Sequence, residues 1–383
     1  MFTYAFDDSG CPQPGTSFQL TSQDMGLPAG VPIAMTRTQL QGGKQQGVEL
    51  VTLTVGTMCL RIVPTRGLGV LDVTVNGVRF GWDSPVKEVV NPAFINQEGG
   101  GGLGWLEGFN EMLVRCGYEW SGHPGEDRGQ FLSLHGRVQN TPASQLVLTV
   151  EQQPPYRVSL SGRVDEKRFK QADFETQMTL MMTPDKPELT VKDRLTNQGD
   201  YEKEYQVIYH NNFGTPVLEE GGRVELAAHE VSPFNEQAKA GLAHWQEINA
   251  PTKGFDEQVF NIKPKADAQG ESAAMLFNQS KDKGVAVSYS LKQLPVFTFW
   301  KNTDTLKQGY VIGLEPGTSY AYNRRYQRDL GLVPTIGAGE SRDFDLTFSF
   351  LTSEAEVATQ RARIAAIQGD EVIAHRSEPL VVL

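Results

Sequence analysis

The chain has 383 residues, of which 39% are hydrophobic and 21% charged, with 39 glycines and 21 prolines. That apolar content, with so many turn formers, describes a turn-rich globular protein and excludes a disordered chain or a coiled coil. The 35 basic and 46 acidic residues leave a net charge of −11, and no Lys/Arg run forms the basic stripe that displaces counterions from phosphates. The densest stretch, Lys301 to Arg328, is broken by Asp304, Glu315 and aromatics. A neutral small molecule is the expected partner, with neither nucleic acid nor membrane, and a homodimer is left open as the assembly.

The first residues, MFTYAFDDSG, lack the basic segment followed by an apolar run that marks a secretory signal. No apolar stretch approaches the ~18 residues a membrane helix needs. Cys11, Cys59 and Cys116 form no CxxC and no even framework, so reduced thiols in a cytoplasmic protein are expected.

Residues 1–45 read as strand and loop decoration. From 48 to 80 the chain alternates apolar and polar residues in short runs, broken at Gly56, Pro64, Gly67 and Asn76-Gly77. Asn-Gly between alternating runs predicts a tight hairpin, because both residues tolerate positive φ. The stretch 84–134 is weakly periodic and carries the run Gly99–Gly104 with Trp105, Phe109, Arg115 and Trp120. It is too aromatic for disorder and is expected to cover a face of the sheet. Alternation returns at 144–150, 156–164, 174–182, 188–196, 284–291 and 343–351. Ser353 and Glu356 form a capping box that opens a helix over 353–368, with Gly369 ending it. The tail to Leu383 is a candidate for pairing with a sheet edge. Strand–helix alternation is absent, so the prediction is one all-β domain over 1–383, a large antiparallel β-sandwich with a short C-terminal helix.

Four clusters interrupt the strand pattern: Leu134-His135-Gly136-Arg137, Tyr209-His210-Asn211-Asn212-Phe213-Gly214, Phe299-Trp300-Lys301-Asn302 and Gly313-Leu314-Glu315-Pro316-Gly317. Each has a plain structural alternative, such as a hydrogen-bonded strand-end histidine, a core tryptophan, a turn glutamate or a solvated lysine. Together they supply what a neutral-sugar site needs. An indole stacks on the apolar face of a pyranose, polar groups read hydroxyls, and an imidazole with a carboxylate serves as acid and base near neutral pH.

The chain resembles the aldose 1-epimerase, or galactose mutarotase-like, superfamily, and within it a divergent branch of unassigned function. The resemblance rests on GWDSP (81–85), GWLEGFNEMLVRCGY (104–118), LHGRVQNTPA (134–143), YHNNFGTPVLEEGGR (209–223), DEQVF (256–260) and GLEPGTSYAYNRR (313–325). It implies a β-supersandwich with Glu315 as general base, His210 as general acid and His135 binding substrate near the ring oxygen. Arg66, or less readily Arg115, matches the site arginine. Asp256 or Glu257 matches the acidic position; the two point to opposite faces if extended. Trp300, Lys301 and Asn212 are expected to line the cleft with Arg66 and His135. The negative Glu315 is expected to keep His210 protonated, and the imidazolium to keep Glu315 ionised.

The implied reaction is the interconversion of α and β anomers of a free aldose by acid–base ring opening, without cofactor. G-x-S-x-G, HExxH and P-loop motifs are absent. No metal is expected, although a convergence of His135, His210 and His229 stays open. The alternatives are a non-catalytic carbohydrate-binding or sensing protein on the same fold, and a glycoside hydrolase or lyase that would use Glu257 and Glu315 as its carboxylates.

Overall fold

The computed structural model describes residues 1–6 and 17–382; Cys11 and Leu383 lie outside them. Two large sheets carry the fold. The nine-stranded sheet runs, from edge to edge, Phe2–Ala5, Ser144–Val150, Val158–Lys167, Asp173–Met182, Glu188–Asn197, Ser341–Leu351, Gly284–Ser290, Glu271–Phe277 and Arg223–Leu226. At its centre the strands alternate strictly between buried and partly exposed positions, because one face packs on the core and the other meets water.

The thirteen-stranded sheet passes from Phe18–Thr21 and Ile33–Gln39 through the meander Glu49–Val55, Met58–Val63 and Gly69–Val75. It continues with Leu113–Tyr118, Gln206–Phe213, Val311–Gly317, Val296–Asn302 and Gln258–Pro264, and closes on Ala228–Pro233 and Ala374–His375. Val78–Phe80 adds a hairpin, turning at Asn76-Gly77 with both residues at positive φ. The short strand Ala374–His375 pairs in parallel with the edge strand Ala228–Pro233, so the tail does dock on a sheet edge. The 1–45 segment does more than decorate, since its strand Ile33–Gln39 pairs along its whole length with Glu49–Val55.

Every residue of Gln206–Phe213 and of Val311–Gly317 is buried. One face of these strands packs against the nine-stranded sheet through residues such as Val207, Tyr209, Phe213, Ile312 and Leu314. The other is covered by the stretch 84–134, whose Trp105, Phe109 and Leu134 pack on Ile208 and Val311. That stretch also holds a central strand, Leu113–Tyr118, which shows no alternation because both its faces are covered.

A buried ion pair ties the sheets together. The Arg115 guanidinium donates to Asp193 of the facing sheet at 2.5 and 3.0 Å, and Tyr209 Oη donates to the same carboxylate at 2.7 Å. The helix Glu354–Gln368 starts at the expected box, with Ser353 Oγ and Thr352 N both donating to the Glu356 carboxylate at 2.9 and 2.8 Å. Its Val357, Ile364 and Ile367 pack on the end of the nine-stranded sheet against Ala273, Met275 and Phe277.

Removing one partner of a buried ion pair strands the other charge, at a cost of about 3–5 kcal/mol. Asp193→Ala is therefore expected to lower unfolding stability by about that much, read as a shift of the denaturant midpoint.

Candidate active site

On the thirteen-stranded sheet, strand alternation sends Ile208, His210 and Asn212 to the face away from the core. The register that pairs Ile208 with Gly317 and Asn211 with Leu314 sets His210 opposite Glu315. Glu315 pairs in turn with Thr298, and Trp300 with Gly313 and Val259. One row across the sheet thus reads Val114, His210, Glu315, Thr298. Gly313 makes the row possible, since a Cβ there would collide with Glu315 Oε1 and press on His210 Cε1 at 3.2 Å.

Above this row lies a cleft of about 130 Å3, lined by Trp105, Phe109, His123, His135, His210, Glu257, Thr298, Trp300 and Glu315, with Leu103, Leu106 and Leu134 completing an apolar wall. An apolar cavity of about 150 Å3 takes up benzene, so this one is a single ring wide. The Trp300 indole and the Phe109 ring stand 5.4 and 5.3 Å from the His210 ring.

His210 Nε2 lies 3.2 Å from Glu315 Oε1, which has no other hydrogen-bond partner. On its far side, His210 Nδ1 is 2.7 Å from Asn212 Oδ1. Burial governs both groups. It pushes the His210 imidazole down to about 4, against a smaller opposing effect of the Asn212 hydrogen bond. It pushes the Glu315 carboxyl well above the usual carboxylate range, and the nearby Glu257 charge adds to the rise. The expected mutual stabilisation of an imidazolium and a carboxylate is therefore reversed: desolvation outweighs attraction, and both partners favour their neutral forms.

His135 sits at φ 58°, a conformation uncommon for a side-chain-bearing residue. Its amide donates to Gly122 O at 2.9 Å and its carbonyl accepts from Gly117 N at 3.0 Å. These bonds hold its ring 5.5 Å from that of His210. Its Nδ1 and the Thr298 hydroxyl are buried without a partner, so two polar atoms beside the cleft have unused hydrogen-bonding capacity. Glu257 accepts from Trp300 Nε1 at 2.7 Å, so the acidic residue on the cleft wall is Glu257 and not Asp256. His123 donates from Nδ1 to Ala321 O at 2.8 Å.

Three expected lining residues do not line the cleft. Lys301 follows Trp300 in an extended strand and so points to the opposite face. It is buried, donating to Glu247 O at 3.1 Å and to His244 and Trp245 carbonyls at 3.4 Å, and burial lowers its ammonium to about 8. Arg66 is buried in an ion pair with Glu111 and donates to Asn140 Oδ1 at 2.8 Å and Gly108 O at 2.9 Å. Arg115, its alternative, is spent on Asp193. Asn212 is wholly buried and touches His210 rather than the cleft. His229 pairs with Glu371 at the surface at 2.6 Å, so it does not join His135 and His210; among the described residues no group of three His, Cys, Asp or Glu is placed to hold a metal. Thr298 and His123 were missed by the sequence reading. Thr298 carried a signal, because it is two residues before Trp300 and must share its face; His123 carried none.

Residues 45–350 match the model of a family described as a domain of unknown function, DUF4432. The chain belongs to the DUF4432 family. The solved structure of a Klebsiella pneumoniae protein, provisionally named an aldose 1-epimerase, is similar to this one: 45% identity, coverage of 100% of this chain and 99% of that one, and a TM-score of 0.96. A galactose mutarotase-like protein from Clostridium acetobutylicum shares the fold at 14% identity, covering 83% and 98% of the two chains with a TM-score of 0.56. A provisionally named aldose 1-epimerase from Escherichia coli does so at 13% identity, 79% and 99% coverage and a TM-score of 0.53. The DUF4432 fold here is thus galactose mutarotase-like. No curated protein matches the chain. Among the described residues no helix is long and apolar enough to cross a membrane.

The geometry makes one prediction independent of any ligand. A free imidazole is half-protonated near pH 6.5, whereas His210 in the folded protein is expected to stay neutral at pH 6 and to titrate near pH 4. An NMR titration of the histidine rings reads this directly.

Proposed function

We propose that the protein is a cofactor-independent sugar isomerase, an aldose 1-epimerase that interconverts the α and β anomers of a free aldose. The observation that carries this reading is the 3.2 Å contact of His210 with Glu315 on the floor of a cleft one ring wide. Ring opening of a hemiacetal removes a proton from the anomeric hydroxyl and delivers one to the ring oxygen. Both oxygens are bonded to the same carbon, so the base and the acid must stand side by side, as these two do. In this reading the Glu315 carboxylate takes the anomeric proton while His210 Nε2–H protonates the ring oxygen. The C1–C2 bond then rotates and the ring closes on the other face by the same proton transfers in reverse.

Around this pair, His135 and Thr298 offer polar atoms that lack partners, and Trp300 offers an indole whose N–H is already taken by Glu257, leaving its ring for the apolar face of the sugar. Among the described residues no Lys or Arg lines the cleft, while Glu257 and Glu315 do. An unphosphorylated, uncharged sugar therefore suits it better than an anionic one. A glycoside hydrolase would instead need two free carboxylates roughly 5–9.5 Å apart across the bond to be cut, and Glu257 is engaged by Trp300.

Exchange NMR on a panel of free aldoses with catalytic amounts of protein tests the reading, since it sees anomer interconversion directly. Glu315→Gln and His210→Asn should each slow interconversion about 10²–10⁴-fold while sugar still binds, and the double variant should lose little more. No acceleration of any aldose by the wild type, or an unchanged rate in Glu315→Gln, would refute it.

The pH dependence has a definite sign. The competent pair carries one proton between its members. Below about pH 4 it takes up a second and loses its base. At high pH it loses the shared one, above the usual carboxylate range because the Glu315 carboxyl is raised. The rate should therefore form a plateau through neutral pH, and a profile rising through pH 6.5 would contradict it. Trp300→Ala should weaken sugar binding by about 1.5–3 kcal/mol, the scale of burying a large apolar side chain, measured by calorimetry.

A further inference from the structure

We propose that Asn212 is a positioning residue: its Oδ1 holds one proton of His210 on Nδ1, which makes Nε2 the nitrogen that shares a proton with Glu315 across their 3.2 Å contact. The proposal deepens the reading of His210 and Glu315 as the acid–base pair and rests on it for its catalytic consequence, although the protonation pattern itself does not.

Two backbone carbonyls settle the orientation of the amide. Asn212 Nδ2 donates to Glu111 O at 3.0 Å and to His210 O at 3.2 Å, and a carbonyl oxygen only accepts. The NH2 group is therefore turned to the carbonyls and Oδ1 to the imidazole, 2.7 Å from Nδ1. An amide oxygen cannot donate, so Nδ1 must carry the hydrogen. Asn212 is itself fixed: its backbone N–H donates to Met112 O at 2.7 Å. The Glu111 carbonyl that it grips belongs to a residue locked by Arg66 and by Gln139 Nε2 at 2.9 Å. The buried arginine therefore acts on the imidazole at second hand, through Glu111 and Asn212.

The consequence is a proton balance that closes. With Nδ1–H fixed, the pair has two tautomers, a carboxylate facing Nε2–H and a carboxylic acid facing a bare Nε2. Ring opening converts the first into the second. The O1–H proton goes to Glu315, the Nε2 proton goes to the ring oxygen, the C1–O5 bond breaks and the C1=O1 bond forms. Ring closure on the opposite face converts the second tautomer back, so the enzyme ends as it began without exchanging a proton with water. An amide suits this task better than a carboxylate. It holds Nδ1–H in both tautomers without adding a third negative charge beside Glu315 and Glu257, and so does not pin the shared proton on Nε2. The other titratable groups facing His210 are His135 at 5.5 Å between ring centres and, along the cleft wall, His123.

The test is nitrogen NMR of the imidazole in the unliganded wild-type protein at neutral pH, with Asn212→Leu and Asn212→Asp beside it. The expected result is a protonated Nδ1 in the wild type and in Asn212→Asp, and a loss of the fixed Nδ1 proton in Asn212→Leu. Kinetically, Asn212→Leu should lose about 10- to 100-fold in kcat, by analogy with losing the partner that orients a metal-ligating histidine, with KM changed far less. A bare Nδ1 in the wild type overturns the proposal, and this measurement needs no variant that folds. So does an Asn212→Leu variant with the wild-type nitrogen spectrum. A protonated Nδ1 in a protein that accelerates no aldose would leave the proposal standing and defeat the isomerase reading instead.

Discussion

A slip of one residue between the strands Gln206–Phe213 and Val311–Gly317 would turn His210 into the core and Tyr209 into the cleft, because the side-chain period of a strand is two. The observed register is held from both sides. On the core side, Tyr209 reaches Asp193 of the facing sheet, and Phe213, Ile312 and Leu314 are fully buried. On the cleft side, Gly313 leaves room for the Glu315 carboxyl and the His210 ring, which a side chain there would crowd. The forces that pack the sandwich and those that assemble the pair are therefore the same forces, read on alternate residues.

Burial of charge follows this division. Arg115 and Arg66 are each almost completely buried, and each is paid for by a carboxylate and several carbonyls. Neither faces the cleft. Arg115 fixes the spacing of the two sheets directly beneath the strand that carries His210, while Arg66 fixes the loop whose Glu111 carbonyl grips Asn212. A buried pair of this kind gives little net stability against an apolar replacement, but it admits one geometry only, and a site that works at hydrogen-bond distances needs that.

Much of this was legible in the chain. The strands with one wet face announced themselves by alternation, and the Ser353–Glu356 box marked the helix start. His135, His210, Glu257, Trp300 and Glu315 stand out in the sequence, and all of them line one cleft. What escaped was what lies behind or between. Leu113–Tyr118 is covered on both faces and has no period to read. Lys301 was placed with Trp300 although adjacent strand residues cannot share a face, so alternation applied there would have removed it. The roles of Arg66 and Asn212 depend on contacts across 45 and 101 residues of sequence, which no local pattern records.

The same burial also sets the chemistry. In water a carboxylate and an imidazole differ by roughly two pKa units, and a proton between them would rest mainly on the imidazole. Desolvation raises one group and lowers the other, which moves the shared proton toward the carboxyl and narrows or inverts that difference. In the proposed reaction, a sugar entering the cleft would bring hydroxyls that solvate a developing carboxylate and a developing imidazolium alike. On that proposal it would lower the energy of the charged tautomer from which ring opening starts. Burial that favours the neutral pair, and a substrate whose hydroxyls supply the polarity needed to charge it, would on that proposal make the reactive tautomer conditional on binding.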